Sequence, residues 1–161
     1  MGQLLQRENV ADFVKKLHQS GKTVVVTNGC FDILHVGHVR YLQKTKSFAD
    51  YSMVLLNSDK SVRSIKGPTR PINNESDRAE VLCALACVDY VVLFDEDSPA
   101  NLIDEIKPDV YTKGADYTME TLPEADIMRK NNIKVEFITF VEGKSTTKTI
   151  EKMTNNVKGD K

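Results

Sequence analysis

NGCFDILHVGHVRYL, residues 28–42 of this 161-residue chain, carries most of the information about its fold. It places His35 and His38 around Gly37, shortly after an apolar run and an Asn-Gly pair. Asn-Gly favours a tight hairpin, in which TVVVT and CFDIL would pair as antiparallel strands. The second arm is short, however, and a helix-period segment with polar neighbours follows it. We therefore favour a strand that leads into a helix whose first turn carries both histidines.

The segments around this stretch alternate between strand-like and helix-like patterns. Continuously apolar runs predict five strands: TVVVT, SMVLLN, DYVVLF, DVYT and KVEFITF. Helical periodicity appears in residues 8–19 and in HVRYLQKTKSF, ESDRAEVLCALA, SPANLIDEI, LPEADIMRKNN and STTKTIEKM. Apolar strands separated by helices indicate a parallel sheet covered on both faces. The predicted fold is α/β, a Rossmann-like doubly wound sheet of five parallel strands in a single domain.

The chain length fits one domain with small additions at each end. We expect residues 1–21 to form an N-terminal helix packed on the domain, and residues 22–153 to form the domain itself. Residues 154–161 have the composition of a flexible tail.

Composition and charge limit the classes of function. Apolar residues make up 40% of the chain and the net charge is −1, which argues against a general nucleic-acid binder. No apolar run reaches the ~18 residues of a membrane span, and the N-terminus lacks the apolar core of a signal peptide. We expect a cytoplasmic protein that binds neither nucleic acid nor membrane.

The three cysteines agree with that compartment, because an odd number is a poor basis for a disulfide framework. Cys83 and Cys87 are four residues apart in an apolar helical segment, which predicts two buried core thiols. Cys30 differs because it lies inside the opening stretch.

Polar, small or cationic residues follow four of the predicted strands. NGC follows TVVVT, NSD follows SMVLL, KGAD follows DVYT, and VEGKSTT follows KVEFITF. In open α/β sheets, ligands bind outside the carboxyl ends of the strands, where the strand order reverses. The functional site is therefore expected at that edge of the sheet.

The histidine pair suggests an anion site at a helix start. Unpaired N–H groups and the helix dipole favour an anion there, and Gly37 leaves room for a phosphate. Zinc is the competing interpretation, with Cys30, Asp32, His35 and His38 as ligand types. It would require the extended segment to fold back, and no second pair of ligands follows elsewhere in the chain.

The HxGH pattern of residues 35–38 resembles the signature of the nucleotidyltransferases that are related to class I aminoacyl-tRNA synthetases. The later Ser145-Thr146-Thr147 resembles their second nucleotide motif. Within this superfamily, the chain most resembles the bacterial D-glycero-β-D-manno-heptose 1-phosphate adenylyltransferases. The resemblance covers residues 22–153, through TNGCFDILHVGHVRYL, NSDKSV, KGPTRPINNESDR, VDYVV, KPDVYTKGADY and EGKSTT.

Two other functions remain as alternatives. Glycerol-3-phosphate cytidylyltransferases share the HxGH and STT segments, but they carry arginines where this chain has Phe140 and Ala86. These differences weaken the case for a CTP-dependent enzyme acting on a polyol phosphate without excluding it. A non-catalytic nucleotide-binding module is the alternative from another class, and the intact histidine pair argues against it.

The resemblance implies a reaction in which a sugar phosphate attacks the α-phosphorus of ATP. The products would be an ADP-sugar and pyrophosphate, and Mg²⁺ would accompany ATP. It also implies a homodimer and a separate sugar kinase that supplies the acceptor.

The same resemblance assigns roles to individual residues. His35, His38 and Lys66 would be catalytic, with Lys66 closing over the phosphates or serving only as a solvated loop charge. The remaining nucleotide-binding residues would be Asn28, Gly29, Cys30, Phe31, Gly37, Arg78, Lys113, Gly114, Asp116, Ser145, Thr146 and Thr147. Further substrate or phosphate contacts would be Asp32, Asn57, Asp59 and Arg70. Asp32 has three open roles: orienting a histidine, assisting Mg²⁺ or capping locally.

Overall fold

The computed structural model describes residues 1–139 and 145–158. Its strands are β1 Gln3–Leu5, β2 Val24–Gly29, β3 Tyr51–Asn57, β4 Tyr90–Phe94, β5 Val110–Gly114 and β6 Lys134–Ile138. Its helices are α1 Val10–Gln19, α2 Val36–Lys46, α3 Asp59–Lys66, α4 Glu75–Cys83, α5 Ala100–Ile106, α6 Ala125–Lys130 and α7 Thr146–Lys158. A single 3₁₀ turn at Arg7–Asn9 joins β1 to α1.

The described strands form one parallel sheet in the order β1-β4-β3-β2-β5-β6. The chain moves outward from β2 through β3 to β4, then returns to the other side of β2 as β5. The strand order therefore reverses between β2 and β5, which is where an open α/β sheet forms its ligand crevice. The predicted parallel sheet is confirmed, and the hairpin alternative is wrong because β2 pairs only with parallel neighbours among the described residues.

Over residues 1–139 and 145–158 the sheet has six strands, where the sequence predicted five. The additional strand, β1, is only three residues long and pairs with the outer side of β4, Gln3 opposite Tyr90. QLL is too short to show an alternating or continuous apolar pattern. The first 21 residues thus contribute a sheet edge as well as the expected helix.

Helices cover both faces of the sheet, as expected for a doubly wound fold. Residues of α1, α5 and α6 pack with one side of the strands in a core that includes Val14, Leu102 and Met128. The opposite core includes Leu42 of α2 and Leu82 of α4. Because α2 lies on the second face, the loop that leads into it crosses the carboxyl edge of the sheet.

Several boundaries differ from the predictions. Helix α3 was not predicted, and α4 ends at Cys83 rather than continuing through residue 86. Cys83 and Cys87 are therefore half-buried at the margin of the core, not fully buried on one helix face. Helix α7 continues to Lys158, where a tail was expected from residue 154, and residues 159–161 lie outside the described part. Among the described helices, none is long and apolar enough to cross a membrane.

Candidate active site

Helix α2 begins with a capping arrangement made by the two histidines. His35 is the N-cap residue, and its Nδ1 accepts a hydrogen bond from the Gly37 N–H at 3.1 Å. The His35 N–H in turn donates to Nδ1 of His38 at 3.3 Å. Capping side chains satisfy N–H groups that a helix leaves unpaired at its start. The HxGH spacing thus has a local structural role, because it lets both histidine side chains accept backbone N–H groups at the start of α2.

These contacts fix the tautomer of both rings. A nitrogen that accepts a backbone N–H carries no proton, so each neutral imidazole bears its proton on Nε2 and presents an Nε2–H donor. The rings of His35 and His38 stack with centroids 3.9 Å apart. Burial, together with the neighbouring His35, lowers the pKa of His38 from 6.5 to about 4. At neutral pH, His38 is therefore an uncharged hydrogen-bond donor.

The end of β2 approaches these rings through Gly29 and Phe31. A Cβ on Gly29 would lie 2.8 Å from Cε2 of Phe31, so only glycine lets the two residues pack this closely. Phe31 has a φ of 44° and places its ring 5.4 Å from that of His38. Burial raises the pKa of the Cys30 thiol, partly offset by nearby Lys66. Cys30 therefore contributes a small side chain rather than a thiolate.

Asp32 anchors the loop between α3 and α4. Its carboxylate accepts hydrogen bonds from Arg70 Nε at 2.7 Å and from the N–H groups of Ile72 and Asn73 at 2.9 Å. Burial alone would raise the pKa of Asp32, but these donors outweigh that effect and lower it. These contacts correspond to none of its three open roles: they are made to a distant loop, at Arg70, Ile72 and Asn73, rather than to a histidine or to a neighbouring helix start.

Arg78 lies beneath the site and does not border the cleft, which corrects the predicted direct nucleotide contact. Its side chain is fully buried, and Nη1 donates to the carbonyls of Cys30 and Asn57 at 2.7 and 2.8 Å. Nε donates to the carbonyl of Asn73, and Nη2 pairs with Asp59 at 2.8 Å. Asp59 is likewise a partner of Arg78 rather than a residue of the cleft wall. One arginine thus holds together the ends of β2 and β3.

The opposite side of the crevice centres on Lys113 at the end of β5. Its ammonium donates to Asn28 Oδ1 at 3.1 Å and to the Tyr111 hydroxyl at 3.3 Å, and it lies 3.9 Å from Oε2 of Glu124. The Tyr111 hydroxyl donates to the same Asn28 oxygen at 2.6 Å. Burial lowers the pKa of Lys113, although Glu124 and Asp116 act in the other direction. This network joins the two strands at the reversal point.

Helix α7 begins next to the histidine loop. Ser145 Oγ accepts a hydrogen bond from the Lys148 N–H, and the Thr146 hydroxyl donates to the Ile33 carbonyl at 3.0 Å. The start of α7 is thereby tied to the segment that precedes His35. The preceding residues 140–144, which include the Phe140 difference from the cytidylyltransferases, lie outside the described residues.

A cleft of about 760 Å³ brings most of the predicted residues together. Its predicted wall residues are Asn28, Gly29, Cys30, Phe31, Asp32, His35, Gly37, His38, Asn57, Lys66, Arg70, Lys113, Ser145, Thr146 and Thr147. Gly114 and Asp116 border a smaller adjoining recess of about 180 Å³ instead. Sequence reasoning missed Ile65, Asp97, Ser98, Pro99, Tyr117, Pro123 and Glu124. Asp97 and its neighbours follow β4, so the rule about strand ends could have found them.

The geometry does not support the zinc alternative. In the described part of the chain, no three His, Cys, Asp or Glu side chains are grouped so that they could hold a metal ion. The carboxylate of Asp32, one of the four candidate ligands, is engaged with Arg70. The arrangement instead offers neutral donors, cations and two helix starts around one cleft, which is suited to phosphate groups.

Comparisons with known proteins agree with this chemistry. A family model described as cytidylyltransferase-like matches residues 26–155. The chain is 51% identical over 147 residues to the bifunctional protein HldE of Syntrophotalea carbinolica. The aligned region covers 91% of this chain and 30% of that protein. The chain is 52% identical over 142 residues to HldE of Campylobacter fetus, with 88% and 30% covered. The chain thus spans about a third of the length of these relatives.

A solved structure is also similar. The lipopolysaccharide core biosynthesis protein from Thermoplasma volcanium is 31% identical, with a TM-score of 0.64. The similarity covers 76% of this chain and 100% of that one.

Proposed function

This chain belongs to the cytidylyltransferase-like family of nucleotidyltransferases, and on that basis we propose that it transfers AMP from ATP to a sugar phosphate. The proposed acceptor is D-glycero-β-D-manno-heptose 1-phosphate, and the products are ADP-heptose and pyrophosphate. The observation that carries this proposal is the pair of stacked imidazoles at the start of α2, whose Nδ1 atoms accept backbone N–H groups and which border a cleft at the strand-order reversal.

The choice of acceptor rests on similarity. The HldE proteins are about half identical to this chain over most of its length. The similar solved structure carries the name of a lipopolysaccharide core biosynthesis protein, a role that suits a heptose donor. The motifs KGADY and RPINNESDR support the same assignment through their resemblance to the heptose group.

The proposed chemistry needs no activated side-chain nucleophile. A phosphate monoester is largely dianionic near neutral pH and can attack the α-phosphorus directly. The protein therefore has to align the two substrates, which can supply ~7–11 kcal/mol, and meet the charge that grows in the transition state. In the proposed complex, the Nε2–H groups of His35 and His38 donate to phosphate oxygens, and the start of α7 adds hydroxyl and N–H donors.

Cations around the cleft complete this electrostatic arrangement. Lys66 and Arg70 border it from the α3–α4 side, and Lys113 borders it from β5. Lys66 is exposed at the end of α3, so it can reach over bound phosphates, whereas Arg70 is held by Asp32. We assign the cationic contacts with the triphosphate to these residues and the adenosine contacts to the recess bordered by Gly114 and Asp116.

Mg²⁺ is expected to enter with ATP. The described residues provide few protein ligands for it, and Asp97 is the exposed carboxylate on the cleft wall that would contribute one. Phosphate oxygens and water would supply the rest, as is usual for this ion. When bound, it would neutralise phosphate charge in the transition state.

Pyrophosphate release with a matrix of substrates tests the proposal. ATP with D-glycero-β-D-manno-heptose 1-phosphate should give rapid release, whereas CTP with glycerol 3-phosphate should give little. The reverse pattern would establish the cytidylyltransferase alternative. Nucleotide binding without release on any sugar or polyol phosphate would instead identify a non-catalytic binding module.

Two partners belong to the same proposal. The acceptor has to be made by a sugar kinase, and the relatives are named bifunctional although this chain matches only 30% of their length. We propose that the kinase activity lies outside the 161 residues, and that the transferase acts as a homodimer. Analytical ultracentrifugation would measure the association state directly.

A further inference from the structure

Glu124, immediately before α6, is a buried carboxylate at the cleft that the mechanism above does not use. Its side chain is 4% exposed and borders the main cleft. Oε2 has no hydrogen-bond partner among the described residues. The nearest cation in the described part of the chain, Lys113 Nζ, is 3.9 Å away, close enough for an ion pair but too far for a hydrogen bond.

An unmatched carboxylate oxygen in this position is costly unless a ligand or water satisfies it. Burying a polar or charged atom without a hydrogen-bond donor is unfavourable, and buried polar groups in native proteins are almost always paired. Lys113 does not fill this role, because its ammonium lies 3.9 Å from Oε2, beyond hydrogen-bond distance. Because Glu124 borders the cleft, a small shift of its side chain would let a bound molecule supply the donor that Oε2 lacks among the described residues.

The position of Glu124 indicates which part of the bound substrates it meets. Helix α6 packs on the same sheet face as α5, so Glu124 shares its wall with Asp97–Pro99, which precede α5. The histidines lie on the opposite face with α2. Glu124 also does not border the recess of Gly114 and Asp116 that we assign to adenosine. On these assignments, Glu124 lies past Lys113 from the adenosine recess, on the part of the cleft wall that we assign to the acceptor.

We propose that the Glu124 carboxylate accepts hydrogen bonds from hydroxyl groups of the acceptor sugar and so selects polyhydroxylated phosphates. This inference rests on the proposed function. Sugar hydroxyls are the donors that the carboxylate lacks, whereas a phosphate dianion is repelled by it. Glu124 thereby directs the sugar towards the α6 wall and the acceptor phosphate towards the histidines, in the orientation that the transfer requires.

The test compares Glu124→Gln with Asp126→Asn. Asp126 is a matched control, because it is a carboxylate two residues further along, in α6 itself, with a side chain 98% exposed. Glu124→Gln should raise KM for the heptose phosphate by about 10- to 100-fold, as expected when a hydrogen bond to a charged group is lost. KM for ATP and the Mg²⁺ dependence should stay within about twofold of wild type. Asp126→Asn should change none of these values.

A second variant and a second acceptor separate this role from a purely structural one. Glu124→Asp keeps the charge, but its shorter side chain moves the carboxylate away from the cleft. It should therefore raise KM for the acceptor and leave KM for ATP unchanged. Wild type should discriminate against an acceptor that lacks one sugar hydroxyl, and Glu124→Gln should lose that discrimination.

Several results would overturn the inference. Equal acceptor KM values for Glu124→Gln and Asp126→Asn would show that the carboxylate does not contact the sugar. A rise in KM for ATP alone, or in the Mg²⁺ requirement alone, would assign Glu124 to the nucleotide or its metal ion. An inactive wild type would refute the proposed function itself, which is a distinguishable outcome.

Discussion

At the scale of single residues, His35 and His38 combine a structural and a chemical role. Each Nδ1 accepts a backbone N–H at the start of α2, so in the neutral ring the proton is on Nε2. A histidine that caps a helix in its neutral form is tied to that tautomer, so the ring cannot turn over without losing a hydrogen bond. The donor geometry is therefore present before substrate arrives, which is the arrangement that electrostatic catalysis needs.

This dual role predicts a pH dependence of stability. The pKa of folded His38, about 4, lies below its ordinary value of 6.5, so the unfolded chain takes up a proton first as pH falls. The contribution of neutral His38 to the free energy of unfolding is complete above pH 6.5, and it is lost as the pH falls from 6.5 to about 4. His38→Asn retains an acceptor near the Nδ1 position but does not titrate. Urea unfolding at a series of pH values should therefore show a smaller acid loss in this variant.

His18 provides the control for that experiment. It is partly exposed in α1 and pairs with Asp109 on the amino side of the sheet. His18→Asn should leave the loss of stability below pH 6.5 in place. An identical acid loss in wild type and His38→Asn would contradict the assigned effect of burial on His38.

At the scale of elements, the loop before α4 depends on Asp32. The carboxylate is 3% exposed and receives Arg70 together with two backbone N–H groups. Asp32→Asn should lower the free energy of unfolding by about 3–5 kcal/mol, because it leaves a mostly buried guanidinium without its counter-charge. Chemical unfolding measures this directly, with Asp126→Asn as the exposed control. Equal unfolding free energies for the two variants would show that the ion pair does not hold the loop.

Arg78 connects the elements beneath the cleft. Its planar guanidinium reaches three carbonyl oxygens and Asp59 at once, and lysine cannot reproduce that fork. Arg78→Lys should destabilise the fold by about 1.5–3 kcal/mol for each charge-assisted bond that is lost. It should also lower kcat, because the carbonyl of Cys30 loses its support.

The exposed Arg63→Lys in α3 is the matched comparison. A melting temperature and kcat for Arg78→Lys equal to those of Arg63→Lys would mean that Arg78 does not organise the site.

At the scale of the whole molecule, the topology explains why sequence reasoning found the fold and the position of the site. Five strands are continuously apolar and separated by periodic helices, so pattern alone identifies them. The carboxyl ends of parallel strands share one edge, which brings residues as distant as Asn28 and Lys113 within 3.1 Å. The motif resemblance then supplied the reaction class, and the family match over residues 26–155 confirms that recognition.

The features that the sequence did not predict, β1 and the contacts of Arg78 and Glu124, depend on long-range packing. β1 is a strand because the exposed edge of β4 is available, not because of its own composition. The sequence around an arginine near a helix start, such as Arg78, does not show whether its side chain contacts a ligand or buried carbonyls. In this protein it contacts the carbonyls beneath the site. Glu124 could not be identified either, since its importance lies in the absence of a hydrogen-bond partner for Oε2 among the described residues. Contacts between residues that are tens of positions apart in the chain produce no local periodicity in the sequence.

Turnover of histidine variants measures whether His35 and His38 take part in the transfer reaction. Pyrophosphate release from ATP and heptose 1-phosphate should be measured for His35→Ala, His38→Ala and the distant control His18→Ala, each verified as folded by circular dichroism. We predict a fall of about a hundredfold or more in kcat for the first two, as for a lost transition-state donor, and near-normal turnover for the third. Near-normal turnover in His35→Ala or His38→Ala would contradict the claim that the paired imidazoles act on the nucleotide phosphates.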